Sequence, residues 1–540
     1  MIVLRIIAVL LLATIVTGFA IRLFNPLPKL EPRRPSRALR DTQDTPLGRG
    51  VAAVAAAHPG LTGLHMLDDG RSAFAARVLL ARSATRSLDV QYYIWHGDLS
   101  GSLLLEEIHA AADRGVRVRL LVDDNGIAGL DVPFAALDAH LNIEVRLYNP
   151  FVVRRPKAIG YLADFPRLNR RMHNKSFTAD NQMTIIGGRN VGDEYFGARD
   201  QGLFADLDVL AVGSAVADVS DEFDQYWASQ SAYPAARILP AVGAERMAEI
   251  AAAAHRSTRD PAARAYVEAI RALPFIEQAK AGTLPFEWAP VRMVCDDPAK
   301  TLGKAGPRGL LTTALARIIG TPTSELGLVS GYFVPTKAGE EAFVKLARDG
   351  VGVSIMSNAL EATDVGIVHA GYAHRRKALL RGGVHLFEMR RPAGDGETAS
   401  SRNILGAGSG FGITGSGSGS GSPTGTVLRS SKSTLHAKTF TVDRRHLFVG
   451  SFNFDPRSMH LNTELGFVID SAPLAERLQD SFTTTIPLDA YEVVLDDAGD
   501  LMWIERTGGR EIRHRTEPGT TWLQRTGIWA LSHLPIEWLL

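Results

Sequence analysis

The chain has 540 residues, enough to bury a large core and to form several domains. Its 59 basic and 58 acidic residues balance, so it lacks the strongly basic character typical of nucleic-acid-binding proteins. Cys295 is the single cysteine, which excludes an internal disulfide and a cysteine cluster for zinc.

The first feature along the chain is an apolar run over residues 6–21, flanked by arginines. As a helix it would extend about 24 Å, short of a hydrocarbon core of about 30 Å. The run has three interpretations: an uncleaved membrane anchor, a signal peptide cleaved near residues 18–20, or a helix buried in the folded domain. We expect an anchor over residues 1–24, because Arg22 and further apolar residues follow at once. A Pro- and Arg-rich linker, residues 25–50, then separates it from the rest.

A strand–helix–strand pattern occurs twice in the chain. In the first half, residues 88–94 form a β-rich run, followed by a helical stretch that ends at Gly115 and then by an alternating strand. In the second half, residues 326–333 precede a helical stretch that ends at Gly350 and another strand. Each unit indicates parallel pairing, and the recurrence predicts an internal duplication. The sequence therefore predicts an α/β fold built from two similar domains.

The repeat defines the domain boundaries. We expect a first domain over residues 51–240, a helical connector over 241–290, a second domain over 291–490 and a C-terminal hairpin with a tail over 491–540. A Gly/Ser-rich insert, residues 406–425, is either a mobile loop near the second motif or an insert without a role. The tail carries tryptophans that suit either a membrane interface or core packing: Trp503, Trp522, Trp529 and Trp538.

One spacing of polar residues, H-x-K-x4-D-x6-G-x2-N, occurs once in each half. The two copies have identical offsets, over His173, Lys175, Asp180, Gly187 and Asn190, and over His436, Lys438, Asp443, Gly450 and Asn453. Side chains at positions i and i+2 of a strand share a face, so the His and Lys of each copy stand side by side. We expect these four side chains to converge on one pocket between the halves.

Two imidazoles and two ammonium groups suit a phosphodiester substrate. The lysines would neutralise phosphate oxygens, one histidine would attack phosphorus, and the other would protonate the leaving alcohol and deprotonate the incoming one. This route needs no metal, and we expect neither a metal nor another cofactor. Asp206 and Glu464 follow the two motifs at equivalent places, and we expect them to orient the histidines. For Asp206, a surface carboxylate at a strand end is the alternative.

The remaining motif positions are expected to support the site. Asp180 and Asp443 belong to the motif and are placed with the catalytic set, although their position five residues after the lysine favours organising the turn or pairing with a basic group. Asn190, Asn453 and Ser451 are expected to be supporting residues. Ser451 stands where the first half has a glycine, so the two halves need not contact the phosphate equally.

The two segments resemble the HKD motifs of the phospholipase D superfamily. Flanking phrases such as MHNKSF, IIGGRNVGDEYF, SFNFDPRS and LNTELGF are similar to those of bacterial cardiolipin synthases, especially the C-type branch. The resemblance covers about residues 74–488. It implies two tandem α/β/α sandwich domains related by a pseudo-twofold axis. It also implies transphosphatidylation, the transfer of a phosphatidyl group from one phospholipid to the headgroup alcohol of another, with His173 as nucleophile and His436 as acid and base.

The expected partners are phospholipids, namely phosphatidylglycerol and, as a second candidate, phosphatidylethanolamine, at a bacterial inner membrane. No nucleic acid is expected, and a protein partner is left open. A basic run ahead of the first motif is expected to contact anionic headgroups: Arg154, Arg155, Lys157, Arg167, Arg170 and Arg171.

Two alternative functions are weighed against the transferase. The first is a phosphodiesterase that uses water, because phospholipase D enzymes and nucleases of this type form the same phosphohistidine. The neutral charge and the N-terminal apolar run argue against a nuclease. The second is a non-catalytic scaffold, which the presence of both histidines and both lysines disfavours.

Overall fold

Two β-sheets with surrounding helices make up the computed structural model, which describes residues 2–31, 33–198, 204–243, 260–391 and 434–534 and the single positions 246, 249, 250, 252 and 537. The predicted Gly/Ser insert, residues 406–425, lies outside the described residues, as does Trp538.

The first half of the chain supplies the first sheet and its helices. Its strands are β1 (Thr62–Leu67), β2 (Ser87–Ile94), β3 (Arg117–Gly126), β4 (Ile143–Tyr148), β5 (Ser176–Ala179), β6 (Met183–Gly187), β7 (Phe204–Ala205), β8 (Asp208–Gly213), β9 (Ala232–Pro234) and β10 (Glu287–Ala289). Its helices are α1 (Ile2–Phe24), α2 (Pro46–Ala55), α3 (Gly70–Ser83), α4 (Leu99–Asp113), α5 (Asp131–Asp138), α6 (Ala158–Leu168), α7 (Asp193–Phe196), α8 (Ala215–Ala228), α9 (Pro261–Arg271) and α10 (Pro274–Ala281). The sheet order is β10-β1-β8-β6-β5-β2-β3-β4-β9.

The second half supplies a second sheet. Its strands are β11 (Val291–Cys295), β12 (Glu325–Ser330), β13 (Gly352–Asn358), β14 (His385–Met389), β15 (Thr434–Leu435), β16 (Lys438–Val442), β17 (His446–Gly450), β18 (Leu465–Asp470), β19 (Ala490–Leu495), β20 (Leu501–Thr507) and β21 (Arg510–His514). Its helices are α11 (Leu311–Ile319), α12 (Thr336–Arg348), α13 (Gly366–Ala373), α14 (Arg376–Arg381), α15 (Pro456–His460), α16 (Ala472–Ser481), α17 (Ile486–Asp489) and α18 (Trp522–Ser532). The sheet order is β11-β18-β17-β16-β12-β13-β14-β19-β20-β21.

The two sheets share one topology, as the internal repeat predicts. The order β8-β6-β5-β2-β3-β4 in the first sheet matches β18-β17-β16-β12-β13-β14 in the second. In each sheet the strands that flank the predicted helices pair in parallel, and the motif hairpin pairs antiparallel with the first of them. The predicted helices end at Gly115 and Gly350, which adopt φ values of 93° and 94° that suit glycine.

The halves are joined by a shared apolar core. Buried side chains of β8, such as Val209 and Ala211, belong to one cluster with Val449 of β17 and Phe467 of β18. β17 is part of the second motif hairpin, and β8 and β18 each pair with a strand of a motif hairpin. Burial of this surface holds the sheets together, because removing apolar area from water is the main favourable term in association. The packing therefore brings the two motifs to one interface.

Two segments expected to stand apart from the domains add strands to the sheets. The hairpin of the 491–540 segment extends the second sheet, since β19 pairs with β14 and β20 with β19. Its Trp503 is buried and donates from Nε1 to Glu388 over 2.9 Å. The 241–290 connector is helical in part, but its β10 pairs with β1 and completes the first sheet. Neither segment could be assigned from local pattern, because edge strands are recognised only by their partners.

The N-terminal helix α1 packs on α6. A Cβ at Gly18 would lie 2.4 Å from the Leu162 carbonyl oxygen, so the missing side chain permits this close approach. Many of its large apolar side chains are exposed, including Ile15 and Phe19. Within the described part of the chain, no helix combines the length and the apolar character needed to cross a membrane.

Candidate active site between the two halves

The backbone of each motif pairs with the other half of the chain. Met172 forms a parallel bridge with Thr463, and the His173 amide donates to the Thr463 carbonyl oxygen over 2.9 Å. At the equivalent place, β15 pairs in parallel with β7, and the His436 amide donates to the Ala205 carbonyl oxygen over 2.8 Å. The two halves thus exchange the same contact, as expected for a pseudo-twofold arrangement.

This exchange pairs each histidine with a carboxylate from the opposite half. The Nδ1 atom of His173 lies 2.8 Å from Glu464 Oε2, and Nδ1 of His436 lies 2.6 Å from Asp206 Oδ2. All four side chains are buried. A carboxylate on Nδ1 fixes the tautomer that presents the Nε2 lone pair to a substrate. The structure therefore places Asp206 and Glu464 where orienting carboxylates are expected, but across the interface.

The motif lysines lie beside their histidines. Lys175 Nζ donates to the His173 carbonyl oxygen over 2.5 Å, and Lys438 Nζ lies 3.2 Å from His436 Nε2. Both lysines are buried, and burial lowers the pKa of each. Glu464 opposes this shift for Lys175, while the charge of Lys438 adds to it. The lysines are thus close enough to repel each other, and an anionic phosphate between them would relieve that repulsion.

Both histidines are neutral in the free site. Burial, followed by the positive charges of Lys175 and Lys438, lowers the pKa of His173 well below its usual value. Burial and Lys438 lower the pKa of His436 to about 3, although Asp206 opposes the shift. A neutral imidazole retains the lone pair that nucleophilic attack requires.

The two carboxyl groups differ in their electrostatics. Burial raises the pKa of Glu464 to about 7, even though Lys175 and two serine hydroxyls favour its ionised form. Burial also acts on Asp206, but the hydrogen bond from His436 and the positive charge of Lys438 outweigh it and hold the pKa of Asp206 below its usual value. The His173 side of the site therefore has a carboxyl group that titrates near neutrality, and the His436 side has a permanent carboxylate.

Different groups hold the two carboxylates. The hydroxyl of Ser451 donates to Glu464, as does that of Ser458 over 2.8 Å. In the first half the position of Ser451 is taken by Gly188, where a Cβ would lie 2.1 Å from Asp206 Oδ1. Asp206 therefore occupies the space that a side chain at that position would need. The two halves therefore differ in how the carboxylate is held, while the predicted difference in phosphate contact stays a prediction.

The two motif asparagines have different surroundings. Both ends of the Asn190 side chain are hydrogen-bonded, since its Oδ1 accepts from the Ile94 amide over 3.2 Å and its Nδ2 donates to the Tyr195 hydroxyl over 3.0 Å. Asn453 donates from its backbone amide to Ser458 over 3.3 Å, but its buried Oδ1 has no hydrogen-bond partner among the described residues. Asn190 therefore supports the fold of the site, while the side-chain Oδ1 of Asn453 can still accept a hydrogen bond from a ligand.

Asp180 and Asp443 lie at the far ends of the motif strands, which corrects their placement in the catalytic set. Each lies seven positions after its histidine, or about 20 Å along extended chain. Asp180 accepts from the amides of Arg86 and Ser87 over 2.8 and 2.9 Å. Asp443 makes equivalent contacts with the residues that start β12. Both aspartates have positive φ and organise the hairpin turn, as their spacing favours.

Much of the basic run ahead of the first motif is used inside the protein, contrary to the expected headgroup contacts. Arg154 and Lys157 pair with the buried Asp124, and Lys157 Nζ lies 3.0 Å from it. The buried Arg171 guanidinium lies 3.1 Å from Asp123. Buried charges require such partners, because desolvation without one is costly. These side chains position the segment that leads to His173.

Aromatic side chains around the histidines were not predicted from the sequence. The ring of Tyr93 lies 4.9 Å from that of His173 in an edge arrangement. Phe204 stacks on His436 at 5.2 Å, and Tyr195 contacts the same ring edge-on at 5.2 Å. Strand periodicity places such residues in a core, and only the folded chain shows that they enclose the imidazoles. The enclosure limits water around the reacting groups.

Two clusters of metal-ligand type occur among the described residues. One combines His109, Asp113 and His140, and the other combines His96, Asp98 and Glu194. No motif histidine belongs to either cluster.

Comparison with known proteins identifies the family. The family described as "Cardiolipin synthase, PLD-like domain" matches residues 79–227 and 421–486. Cardiolipin synthase C of Escherichia coli strain K12 is 45% identical over 496 residues, which cover 92% of this chain and 99% of that protein. The chain belongs to the cardiolipin synthase family. This confirms the resemblance drawn from the HKD motifs.

Other family relatives are more distant. The cardiolipin synthase of Staphylococcus aureus strain Mu50 is 24% identical over 447 residues, which cover 82% of this chain and 71% of that protein. An uncharacterised Helicobacter pylori protein, from strain 26695, is 29% identical over 488 residues, with 90% and 91% covered. The crystal structure of phosphatidylserine synthase from Haemophilus influenzae Rd KW20 has a TM-score of 0.51 at 13% identity, covering 82% of this chain and 91% of that chain. That similarity shows the shared fold alone.

Proposed function

We propose that this chain is a phosphatidyltransferase that makes cardiolipin by transphosphatidylation through a covalent phosphohistidine. One observation carries the proposal: each buried histidine has its Nδ1 held by a carboxylate of the opposite half. With Nδ1 held, Nε2 is the ring nitrogen of each histidine that is left to react with a phosphodiester. Membership in the cardiolipin synthase family selects phospholipids as the substrate class.

In the first step His173 acts as the nucleophile. Its Nε2 attacks phosphorus of the donor, for which phosphatidylglycerol is the first candidate and phosphatidylethanolamine the second. The bond from phosphorus to the headgroup oxygen breaks, and His436 supplies the proton that the leaving alcohol takes. The phosphate anion and Asp206 favour the protonated form of His436 when substrate is bound. Lys175 and Lys438 stabilise the charge on the phosphate oxygens.

In the second step the acceptor is the headgroup hydroxyl of another phosphatidylglycerol. The now neutral His436 takes the hydroxyl proton, and the oxygen attacks phosphorus. The nitrogen–phosphorus bond breaks, which restores neutral His173 and leaves two phosphatidyl groups on one glycerol. Glu464 balances the positive charge of the phosphorylated imidazole between the two steps.

A bacterial inner membrane is the proposed location, and the N-terminal helix is the proposed anchor. The exposed apolar side chains of α1, such as Ile15 and Phe19, support this proposal, since such a surface is unfavourable in water. Deletion of residues 2–24 is expected to shift the protein from the membrane fraction toward the supernatant on cell fractionation. An unchanged distribution would contradict the role of α1.

The decisive test measures products of the purified full chain with labelled phosphatidylglycerol. We expect cardiolipin and free glycerol, and no cardiolipin with His173→Ala or His436→Ala. His385→Ala, an exposed histidine on β14, is the matched control and should retain activity. Phosphatidic acid as the main product would instead identify a hydrolase of the phospholipase D type.

The roles of the two histidines are tested by trapping the intermediate. A labelled phosphatidyl group should remain on the protein when His436→Ala is given substrate, because the second step needs a base. The His173→Ala protein should carry no label, because it lacks the nucleophile. A labelled adduct in His173→Ala, absent from His436→Ala, would reverse the assignment.

A further inference from the structure

A cleft lies in the second half beside α18, outside the catalytic pocket. Its volume is about 720 Å³, and it is bordered by α13 and α14, the turn between β19 and β20, and α18. None of the motif residues lines it. The buried ion pairs of Arg376 with Glu388 and Glu517 fix the segment before α18 to this part of the fold.

Two arginines of the cleft lack a carboxylate partner. Lys377 is paired with Asp500 over 2.9 Å, so its charge is matched locally. Arg515 is exposed and has no ion pair or hydrogen bond among the described residues. Arg525 donates from Nη1 to Thr520, which leaves its other guanidinium N–H groups available. A guanidinium fork matches the geometry of a phosphate group, which can accept two parallel hydrogen bonds.

Helix α18 presents aromatic side chains to water next to these arginines. Ile528 is buried against Leu360 and Ala370, and this contact holds one face of the helix on the protein. Trp522 and Trp529 are 66% and 63% exposed. They are seven residues apart, or about two turns, so they lie on the same side of the helix. Tryptophan on an exposed helix face is typical of a membrane–water interface.

We propose that this cleft, with α18, is a docking site for an anionic phospholipid at the bilayer surface. The phosphate lies between Arg515 and Arg525, and Trp522 and Trp529 enter the boundary between headgroups and acyl chains. The unpaired arginines suit the phosphate of a lipid, and the exposed tryptophans suit the boundary between its headgroup and its acyl chains. This combination favours a lipid over a protein partner. The site is separate from the catalytic pocket and does not depend on the proposed reaction.

The test uses quenching of tryptophan fluorescence by lipids with brominated acyl chains. The full chain is reconstituted in phosphatidylcholine vesicles that contain brominated phosphatidic acid, or brominated phosphatidylcholine at the same mole fraction. We expect stronger quenching by the anionic lipid. The double variant W522F/W529F should remove most of that difference, which isolates these two tryptophans from the others.

The arginines are tested in the same assay. Arg515→Gln and R515Q/R525Q should weaken the response to brominated phosphatidic acid, by about tenfold or more for the double variant. Arg515→Gln serves as the safer variant for folding, since the side chain makes no contact that the fold needs. Arg317→Gln, an exposed arginine on α11 at the opposite edge of the second sheet, is the matched control. Equal quenching by both lipids, or an unchanged response in R515Q/R525Q, would overturn the proposal.

Discussion

At the scale of single residues, the site depends on the exchange of carboxylates between the halves. Glu464 holds His173, and Asp206 holds His436. The exchange means that neither half contains a complete acid–base pair. The pKa of Glu464 is raised and that of Asp206 is lowered. The two histidines therefore have carboxyl partners that ionise at different pH, although their geometry is symmetric.

The first prediction concerns the pH dependence of cardiolipin formation. The pKa of Glu464 is raised to about 7, so the group is ionised above that pH and protonated below it. A protonated carboxyl group cannot balance the positive charge that develops on His173, so the rate should fall as pH decreases through about 7. We expect Glu464→Gln to lower the rate by about 10²–10⁴-fold, as for other orienting carboxylates, and to remove this inflection. An inflection that persists in E464Q would assign it to another group.

A second prediction concerns Glu222, a buried residue behind the first motif. Its Oε1 accepts from Asn174 over 2.6 Å, its Oε2 has no partner among the described residues, and burial raises its pKa from 4.5 to about 8. The folded chain therefore holds a proton that the unfolded chain releases above about 4.5, so stability should decrease as pH rises from about 4.5 to about 8.

Glu222→Gln should keep the hydrogen bond and remove this contribution. We expect its melting temperature to exceed that of the wild type increasingly as pH approaches 8. Glu476→Gln, an exposed residue of α16, is the control and should leave the pH profile unchanged. Parallel profiles for E222Q and the wild type would show that Glu222 is already ionised in the fold.

At the scale of elements, the residues at the two ends of each motif hairpin have different roles, one in the chemistry and one in the fold. The histidine and lysine lie at one end of the hairpin, in contact with the other half of the chain. The aspartate lies at the other end and binds the amides that start the neighbouring strand. A sequence motif of fixed spacing can therefore combine residues with unrelated physical roles.

The prediction at this scale separates those roles. Asp443→Ala should leave three backbone amides without their acceptor and reduce stability by about 1–3 kcal/mol. The specific activity of the folded fraction should be largely retained. His436→Ala should have the opposite effect, with stability retained and activity lost. Thermal unfolding and product formation measured on the same samples give the comparison, and a stable but inactive D443A protein would return Asp443 to the catalytic set.

At the scale of the whole molecule, the two sheets form one unit because strands of both contribute to one apolar core. A complete site needs both halves of a single chain. We therefore expect a mixture of the His173→Ala and His436→Ala proteins to make no more cardiolipin than the sum of the two alone. Activity restored by mixing or co-expression would show that halves of different chains can assemble a site.

The sequence by itself determined the internal repeat, the residues of both motifs and the two carboxylates. These follow from local rules, because strand periodicity and fixed offsets are properties of neighbouring residues. Only the tertiary structure decided that the carboxylates cross the interface, that Asp180 and Asp443 organise turns, and that Tyr93 and Phe204 enclose the histidines. It also decided that the C-terminal hairpin completes the second sheet. These features depend on contacts between residues far apart in the chain, which no local pattern encodes.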